Sequence, residues 1–384
     1  MILYRYVFVK QSTQKLSEIL KVKSLLDPKD KDLREKCNSK LKIDKRCRYH
    51  HTFAFRFLIF KFLLYTYHMK SIVTHMSPDL DAITSVWVIK RFLPGWDTAT
   101  VEFVPAGQRS ERVKNYPEFN TSTVLSVNGD EIMHVDTGMG PLDHHQTPDM
   151  NVCGASRSWE YVKSQLAERN QPLKEEHVEA VDRMVKVVVS YDHFQEVYWA
   201  DASADYHDFG LFGINEGLQY SKQGEDAYYI EFGGTCLDYL LHYFENKVWA
   251  EKELAEGTVF ETRYGKALGI ESINESVVKQ AQKKGFVLVV RKDKRRGHVS
   301  IKTLPRFNGI LPIHSNTTNE TVEKNEGIDL TLAYEQFRKM DPDATWFLHV
   351  SKKMLLNGSV KNPDMVPTKL TLEQLIKVLE KMYE

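Results

Sequence analysis

From Met69 onward, short apolar runs alternate with stretches in which apolar side chains recur at helical spacing. Ser71–His75 (SIVTH) is a β-rich run that ends in the polar residues SPDLD. AITSVWVIKRF follows, with Ile83, Val86, Trp87 and Ile89 on one helical face and a stop at Pro94-Gly95. TVEFV (100–104), Val124–Val127 and Ile132–Asp136 read as further strands, and ASRSWEYVKSQLAER and Glu175–Val189 read as helices. Strand–helix–strand alternation predicts an α/β fold: a mainly parallel sheet flanked by helices, expected on both faces.

Residues 202–232 are rich in Gly, Asp and Tyr without clear periodicity and read as a connection, and Thr235–Glu256 reads as a helix. GFVLVVR (285–291), RGHVSIKT (296–303) and TWFLHVS (345–351) are strand candidates, and LTLEQLIKVLEKMY is a closing amphipathic helix. The expected organisation is a leader over 1–68, a metal-binding catalytic domain over 69–200, a connecting and helical segment over 201–284, and a smaller α/β substrate-binding domain over 285–384. SNTTNETVEKNEG (315–327) reads as a polar surface loop.

The leader breaks this pattern. KIDKRCRYHH precedes TFAFRFLIFKFLLYTY, an apolar stretch interrupted by Arg56 and Lys61. A membrane span wants about 20 apolar residues, so this stretch is a poor one, and no small-residue cleavage site follows it. The abrupt onset of α/β patterning gives the expectation that translation starts at Met69, with an amphipathic anchor or an organelle presequence as the competing readings. Mass spectrometry of the native N-terminus distinguishes them. A cytoplasmic location without firm membrane association follows from the same reading, organelle targeting by the leader being the alternative. The sequence leaves oligomerisation open.

Composition narrows the chemistry. Across 384 residues the 52 basic and 52 acidic side chains cancel, so no global field draws the protein to nucleic acid or membrane. An acidic substrate must be held by local cations or bound metal. Cys37, Cys47, Cys153 and Cys236 form no C-x-x-C pair, so neither a zinc ribbon nor a disulfide framework is indicated.

Three groups of titratable residues stand at segment ends: His75 with Asp79 and Asp81, Asp136 before Thr-Gly, and Asp143-His144-His145 between Pro141 and Pro148. In a largely parallel sheet, chemistry collects beyond the carboxyl ends of the strands. Converging carboxylates and imidazoles repel unless cations lie between them. Oxygen and nitrogen donors without thiolate suit manganese, magnesium, iron or cobalt. An aspartate shared by two ions roughly 3.5–4 Å apart is the two-metal hydrolase arrangement. Each residue alone has a plainer reading: His75 as a structural histidine, Asp79 and Asp81 as helix caps, His134 facing neighbouring structure, His193 incidental.

THMSPDLDAITS, then HVDTG, then LDHHQ, in that order, resemble the motifs of the DHH phosphoesterase superfamily. DHHQ and the helical middle are similar to the branch of metal-dependent hydrolases named after a melanocyte-proliferating gene product, whose members behave as RNA exonucleases. That branch's first motif normally reads differently from HMSPDLD.

The resemblance implies His75, Asp79, Asp81, Asp136 and His144 as metal ligands, Asp136 being the bridge. It implies Asp143 as an orienting group and His145 as the side chain that contacts the scissile phosphate or protonates the leaving oxygen. A last aspartate ligand is expected after the DHH turn, with Asp192 preferred and Asp182 the alternative. For substrate, the basic run 291–298 offers Arg295, Arg296 and His298, although a charge run of this kind is usually a solvated loop. Lys352, Lys353, Asn357 and Gly358 occupy the place of the family's glycine-rich motif without its full glycine triplet, and Arg263 is a further candidate.

The function expected is phosphodiester hydrolysis with two divalent cations, manganese first, on single-stranded nucleic acid or short oligonucleotides. A pyrophosphatase or small-molecule phosphoesterase is the enzymatic rival. A degenerate, non-catalytic metal-binding module is the rival of another class.

Overall fold

The computed structural model describes residues 69–305, 327–359, 361–362 and 364–384. The leader and most of the 315–327 tract therefore lie outside the described residues. The described residues form an α/β architecture with two sheets. Among the described residues no helix is long and apolar enough to cross a membrane.

The first sheet contains β1 (Lys70–His75), β2 (Thr100–Val104), β3 (Val124–Val127) and β4 (Asp130–His134) in the order β2-β1-β4-β3. β1 runs parallel to both β2 and β4, with Ile72 opposite Val101 and Met133. β3 is antiparallel to β4. Asn128 and Gly129 join those two strands, both with positive φ (54 and 91), the backbone that a tight hairpin turn demands.

Because side chains alternate across a strand, neighbouring residues serve opposite cores. Ile72, Met133 and Val135 pack under a helical layer, whereas Val73, Val104, Leu125 and Ile132 pack with Val113 and Phe119. The helical layer comprises α1 (Leu80–Phe92), α2 (Gly154–Glu168), α3 (Glu175–Asp192) and, after α4 (Asp205–Asp208) and α5 (Leu211–Ser221), the long α6 (Asp226–Glu253). The expectation of helices on both faces is corrected here. The second face is covered by the non-helical segment 105–123, whose Val113, Tyr116 and Phe119 supply its apolar contacts.

Three strand and helix assignments shift. The last strand of the first sheet ends at His134, so Asp136 stands beyond it. Residues 202–232 contain two helices and the start of a third instead of a bare connection, because Tyr229 is wholly buried and its hydroxyl donates to the Leu218 and Lys222 carbonyls at 3.2 and 3.0 Å. The run 345–351 keeps only a two-residue strand.

The second sheet orders β5 (Thr258–Thr262), β6 (Gly265–Glu271), β7 (Leu288–Lys292), β8 (Val299–Thr303), β10 (Met354–Asn357) and β9 (Phe347–Leu348). It starts at Thr258, well before the boundary expected at 285. Among its described strands only β6 and β7 pair in parallel, joined through α7 (Ser276–Lys283). α7 and the end of α6 cover Leu268, Ile270 and Val289 on one face. α8 (Thr331–Met340) and α9 (Leu372–Tyr383) pack with Ala267, Leu288, Val290 and Ile301 on the other. α9 opens with a capping box in which Thr371 Oγ1 accepts from Gln374 N at 3.2 Å and Gln374 Oε1 accepts from Thr371 N at 2.8 Å.

Candidate metal centre

β1 delivers His75 to the carboxyl edge of the first sheet. Its Nδ1 lies 2.8 Å from the Met76 carbonyl, which can only accept, so Nδ1 carries the proton and Nε2 faces inward. Nε2 is 3.3 Å from Asp136 Oδ2 and 3.8 Å from Asp79 Oδ1. Asp79 is also the N-cap of α1, its Oδ1 accepting from Ala82 N at 2.9 Å. The capping role and the proximity to His75 coexist.

Asp136 follows β4 with a left-handed φ of 51, a backbone that costs a non-glycine residue roughly 1–2 kcal/mol. Its N–H donates to the Leu142 carbonyl at 3.1 Å, folding the 137–145 turn back over it. That turn places His144 Nε2 at 3.5 Å from Asp136 Oδ1, 3.5 Å from Asp192 Oδ2 and 3.7 Å from Asp81 Oδ2. Asp192 arrives as the last residue of α3. Asp182, the alternative, is engaged elsewhere: Trp159 Nε1 donates to it at 2.6 Å and Lys163 at 3.2 Å.

His145 lies beside His144, their ring centroids 4.3 Å apart, but is held by a different partner. Its Nδ1 donates to Asp143 Oδ1 at 2.7 Å and its side chain stays 55% exposed. Asp143 is wholly buried and also accepts from the backbone N–H of Met139 and His145. Burial alone would raise its carboxyl, but these donors, His145 foremost, hold it below the usual range. The pair leaves His145 Nε2 on the outer side of an oriented ring.

Asp81 differs from the other carboxylates. Its two oxygens accept from Gly154 N and Ala155 N, both at 2.7 Å, so it caps α2 from across the fold. This contact exposes a residue that sequence reasoning overlooked. A Cβ on Gly154 would lie 2.6 Å from Asp136 Cβ and 2.9 Å from Asp81 Oδ2. The glycine lets the helix N-terminus close against both aspartates. Its only sequence signal is a glycine at the start of an otherwise ordinary helical run.

His193 reaches the same cluster, 3.6 Å from Asp192 Oδ2. Its Nε2 also sits 2.8 Å from the Val152 carbonyl, so that nitrogen donates and offers no lone pair to an ion. His134, as expected, faces structure: its Nε2 accepts from Ser110 N at 3.0 Å. Burial pushes its pKa down to about 4.

The electrostatics are those of crowded anions. Burial, then repulsion from Asp136, Asp192 and Asp79, raises the Asp81 carboxyl well above its usual range. Burial likewise lifts Asp136 to about 6 and raises Asp192. Burial would depress the His75 imidazole, but Asp136 and Asp79 hold it up at about 11. Asp79, paired with His75, is instead held below its usual range; carboxylates crowded this closely in a buried site are relieved by a cation placed between them.

The donor set fits a divalent ion. Asp136 Oδ1, His144 Nε2 and Asp192 Oδ2 are buried and have no hydrogen-bond partner, an arrangement native proteins rarely leave without a reason. His75, Asp79 and Asp136 bring ligand atoms within 4.8 Å of one another, and so do His144, Asp192 and His193, although His193 spends one nitrogen on the Val152 carbonyl. Among the described residues the candidate groups contain no cysteine, and oxygen and nitrogen donors suit manganese, magnesium, iron or cobalt.

The second sheet treats its expected substrate residues unequally. Arg295 and Arg296 project from a turn in which Asp293 Oδ1 accepts both of their backbone N–H groups; Arg295 is exposed and Arg296 also reaches the surface. His298 packs so closely on Gly358 that a Cβ there would clash with its ring. Lys352 pairs with Asp329 at 3.2 Å, Lys353 Nζ donates to the Ile328 carbonyl at 2.9 Å, and Arg263 lies over the Tyr264 ring. Asn357 is wholly buried, donates to the Thr345 and Val366 carbonyls and accepts from Thr368 N, which makes it an internal strut.

No protein-family model and no curated protein matches the chain. Among solved structures, an exopolyphosphatase-related protein from Bacteroides fragilis is 15% identical over 84% of this chain and 94% of its own, with a TM-score of 0.18. RecJ from Thermus thermophilus in complex with Mn2+ is 11% identical over 82% of this chain and 52% of its own, with a TM-score of 0.22. A DHH domain from a member of a family of ribosomal proteins is 11% identical over 84% and 89%, with a TM-score of 0.23. Likenesses of this size carry no functional weight, and the side-chain geometry stands on its own.

Proposed function

We propose that this chain is a divalent-metal-dependent phosphoesterase of the DHH type. In this reading it hydrolyses phosphodiester bonds in single-stranded nucleic acid or short oligonucleotides. Manganese is the preferred ion, with magnesium, cobalt or iron as substitutes. One observation carries the reading: side chains from β1, the β4 exit, the DHH turn and the end of α3 converge on buried atoms that lack partners.

His75, Asp79 and Asp136 would hold one ion. Asp136, His144 and Asp192, with Asp81 behind them, would hold a second. Such ions, when bound, supply Lewis acidity at the phosphoryl oxygens and an acidified water. The chain's own residues supply the rest. Asp143 fixes the His145 ring with its Nδ1–H inward, so that Nε2 is set to protonate the leaving oxygen. Arg295 and Arg296, at the surface, neutralise backbone phosphates without reading sequence.

The test is manganese-dependent hydrolysis by the full chain against single-stranded RNA, single-stranded DNA, dinucleotides and pyrophosphate. Product is expected from at least one phosphodiester. Asp136→Asn is expected to lower the rate by at least about 100-fold, the scale of losing one preorganised charge-stabilising group. Release from pyrophosphate alone would replace the substrate assignment. No release from any substrate, or an equally active variant, ends the proposal.

A further inference from the structure

Two residues past Asp192 the surface changes character. Phe194 adopts a left-handed φ of 55, a backbone rarely tolerated by a bulky side chain and one that persists only where its surroundings impose it. Its ring is 72% exposed, and Tyr198, Tyr206 and Phe209 follow at 88%, 61% and 96%. Lone exposed apolar residues are ordinary, but four exposed aromatic residues close together in the sequence are not, and larger exposed apolar areas are features of interaction surfaces.

These rings stand on an ordered base. Tyr191 stacks on Phe212 with centroids 4.5 Å apart, and Trp199 packs edge-on against Tyr191 at 5.2 Å. His207 lies 5.5 Å from Trp199 and donates from Nε2 to the Ala200 carbonyl at 2.9 Å. The base limits the entropy that an incoming partner must freeze out.

Charge names the partner. Between Lys186 and Lys222 the sequence holds no lysine or arginine, yet Asp201, Asp205 and Asp208 are exposed there and Glu216 is half-exposed. Among the described residues the ion pairs bordering this segment are His193–Asp192, His144–Asp192 and Lys222–Glu225. Polyanionic phosphates are repelled by such a surface. A guanidinium gains both carboxylates and aromatic faces.

We propose that the Phe194–Phe209 surface docks a basic, apolar-bearing segment of a partner protein, with arginine heads on the carboxylates and rings and apolar side chains between them. The proposal is independent of the metal reading and needs no bound ion.

The test is fluorescence anisotropy with the full chain and two labelled probes, a peptide alternating arginine with leucine and its aspartate–leucine counterpart. The basic probe is expected to bind at least tenfold tighter. Phe194→Ser/Tyr198→Ser/Phe209→Ser is expected to weaken it at least tenfold, and Asp205→Asn/Asp208→Asn to flatten its salt dependence. Thermal melts check folding. Should the triple variant melt early, the charge variant decides alone, an unchanged salt dependence counting against the proposal. Equal affinity for both probes also overturns it. So does tighter binding of single-stranded DNA that the triple variant abolishes, or a concentration-dependent dimer that the triple variant dissolves.

Discussion

The two sheets handle buried polar groups in opposite ways. In the second, Asp341 accepts from Thr368 Oγ1 and Lys369 N at 2.7 Å each, and Asn357 is bonded on every side. Among the described residues, its orphaned buried atoms are single donors, Arg291 Nε and Trp346 Nε1. At the edge of the first sheet, Asp136, His144 and Asp192 present orphaned atoms to one another. Satisfied polar groups hold a fold together. Unsatisfied ones that converge cost stability, and they persist where a ligand completes them. Orphaned atoms also occur singly elsewhere around the first sheet, on Thr74, Ser85 and Ser158 among others, so the convergence of Asp136, His144 and Asp192 marks the site, not orphaning alone.

The heaviest loss that this contrast foresees is at His145. His145→Gln is expected to lower the hydrolytic rate by about 10²–10⁴-fold, the usual worth of a positioned general acid, with manganese affinity almost unchanged. A parallel loss of metal binding, measured by titration calorimetry, would move His145 into the ligand shell.

Metal addition comes next. Manganese at 100 times its dissociation constant is expected to stabilise the chain by about 2.7 kcal/mol, read as a shift in melting temperature that chelator reverses. Asp192→Asn should remove most of that shift, whereas Asp182→Asn should leave it intact.

Gly154→Ala inserts a methyl between Asp136 and Asp81. Overpacking of this kind costs about 1–3 kcal/mol. It is expected to weaken manganese binding as well, because Asp136 must shift. A variant as stable and as tightly metal-binding as the parent would show that α2 need not approach this closely.

Asp341→Ala probes the satisfied sheet. Losing its hydrogen bonds is expected to cost about 1–3 kcal/mol and to leave the catalytic rate unchanged. Bonds from Thr368 and Lys369 hold the Asp341 carboxyl below its usual range. Its stabilising contribution is therefore complete above the unfolded carboxylate value near about 4 and fades as pH falls through the lower folded value. Denaturant titrations at neutral pH and near about pH 3 are expected to show the parent–variant gap narrowing in acid. A gap that widens in acid contradicts the assignment.

Much of the first sheet is legible in the chain alone. TVEFV and Val124–Val127 are strands where their apolar alternation predicts them, and α1 sits where Ile83, Val86, Trp87 and Ile89 recur at helical spacing. Such signals are local, because period and turn chemistry are written in adjacent residues. The helices between 205 and 232 are not legible. Their stability comes from packing, as in Tyr229 buried beneath Leu218 and Lys222, and propensity is a weak guide where tertiary contact decides. The cover of the second sheet face by 105–123 is likewise hidden, since an irregular segment carries no period to read.

For the candidate site, the order of residues along the chain already states which groups stand at the segment ends: His75 with Asp79 and Asp81, then Asp136, then Asp143-His144-His145. How those groups are used emerges in the folded molecule. Folding makes Asp81 a clamp on the start of α2, turns His145 outward on Asp143 and brings Asp192 within 3.5 Å of His144. It also demands a glycine at 154 and makes Asn357 a strut. Most of these are contacts between residues far apart in the chain. They follow from packing and backbone closure, which no local pattern of side chains records.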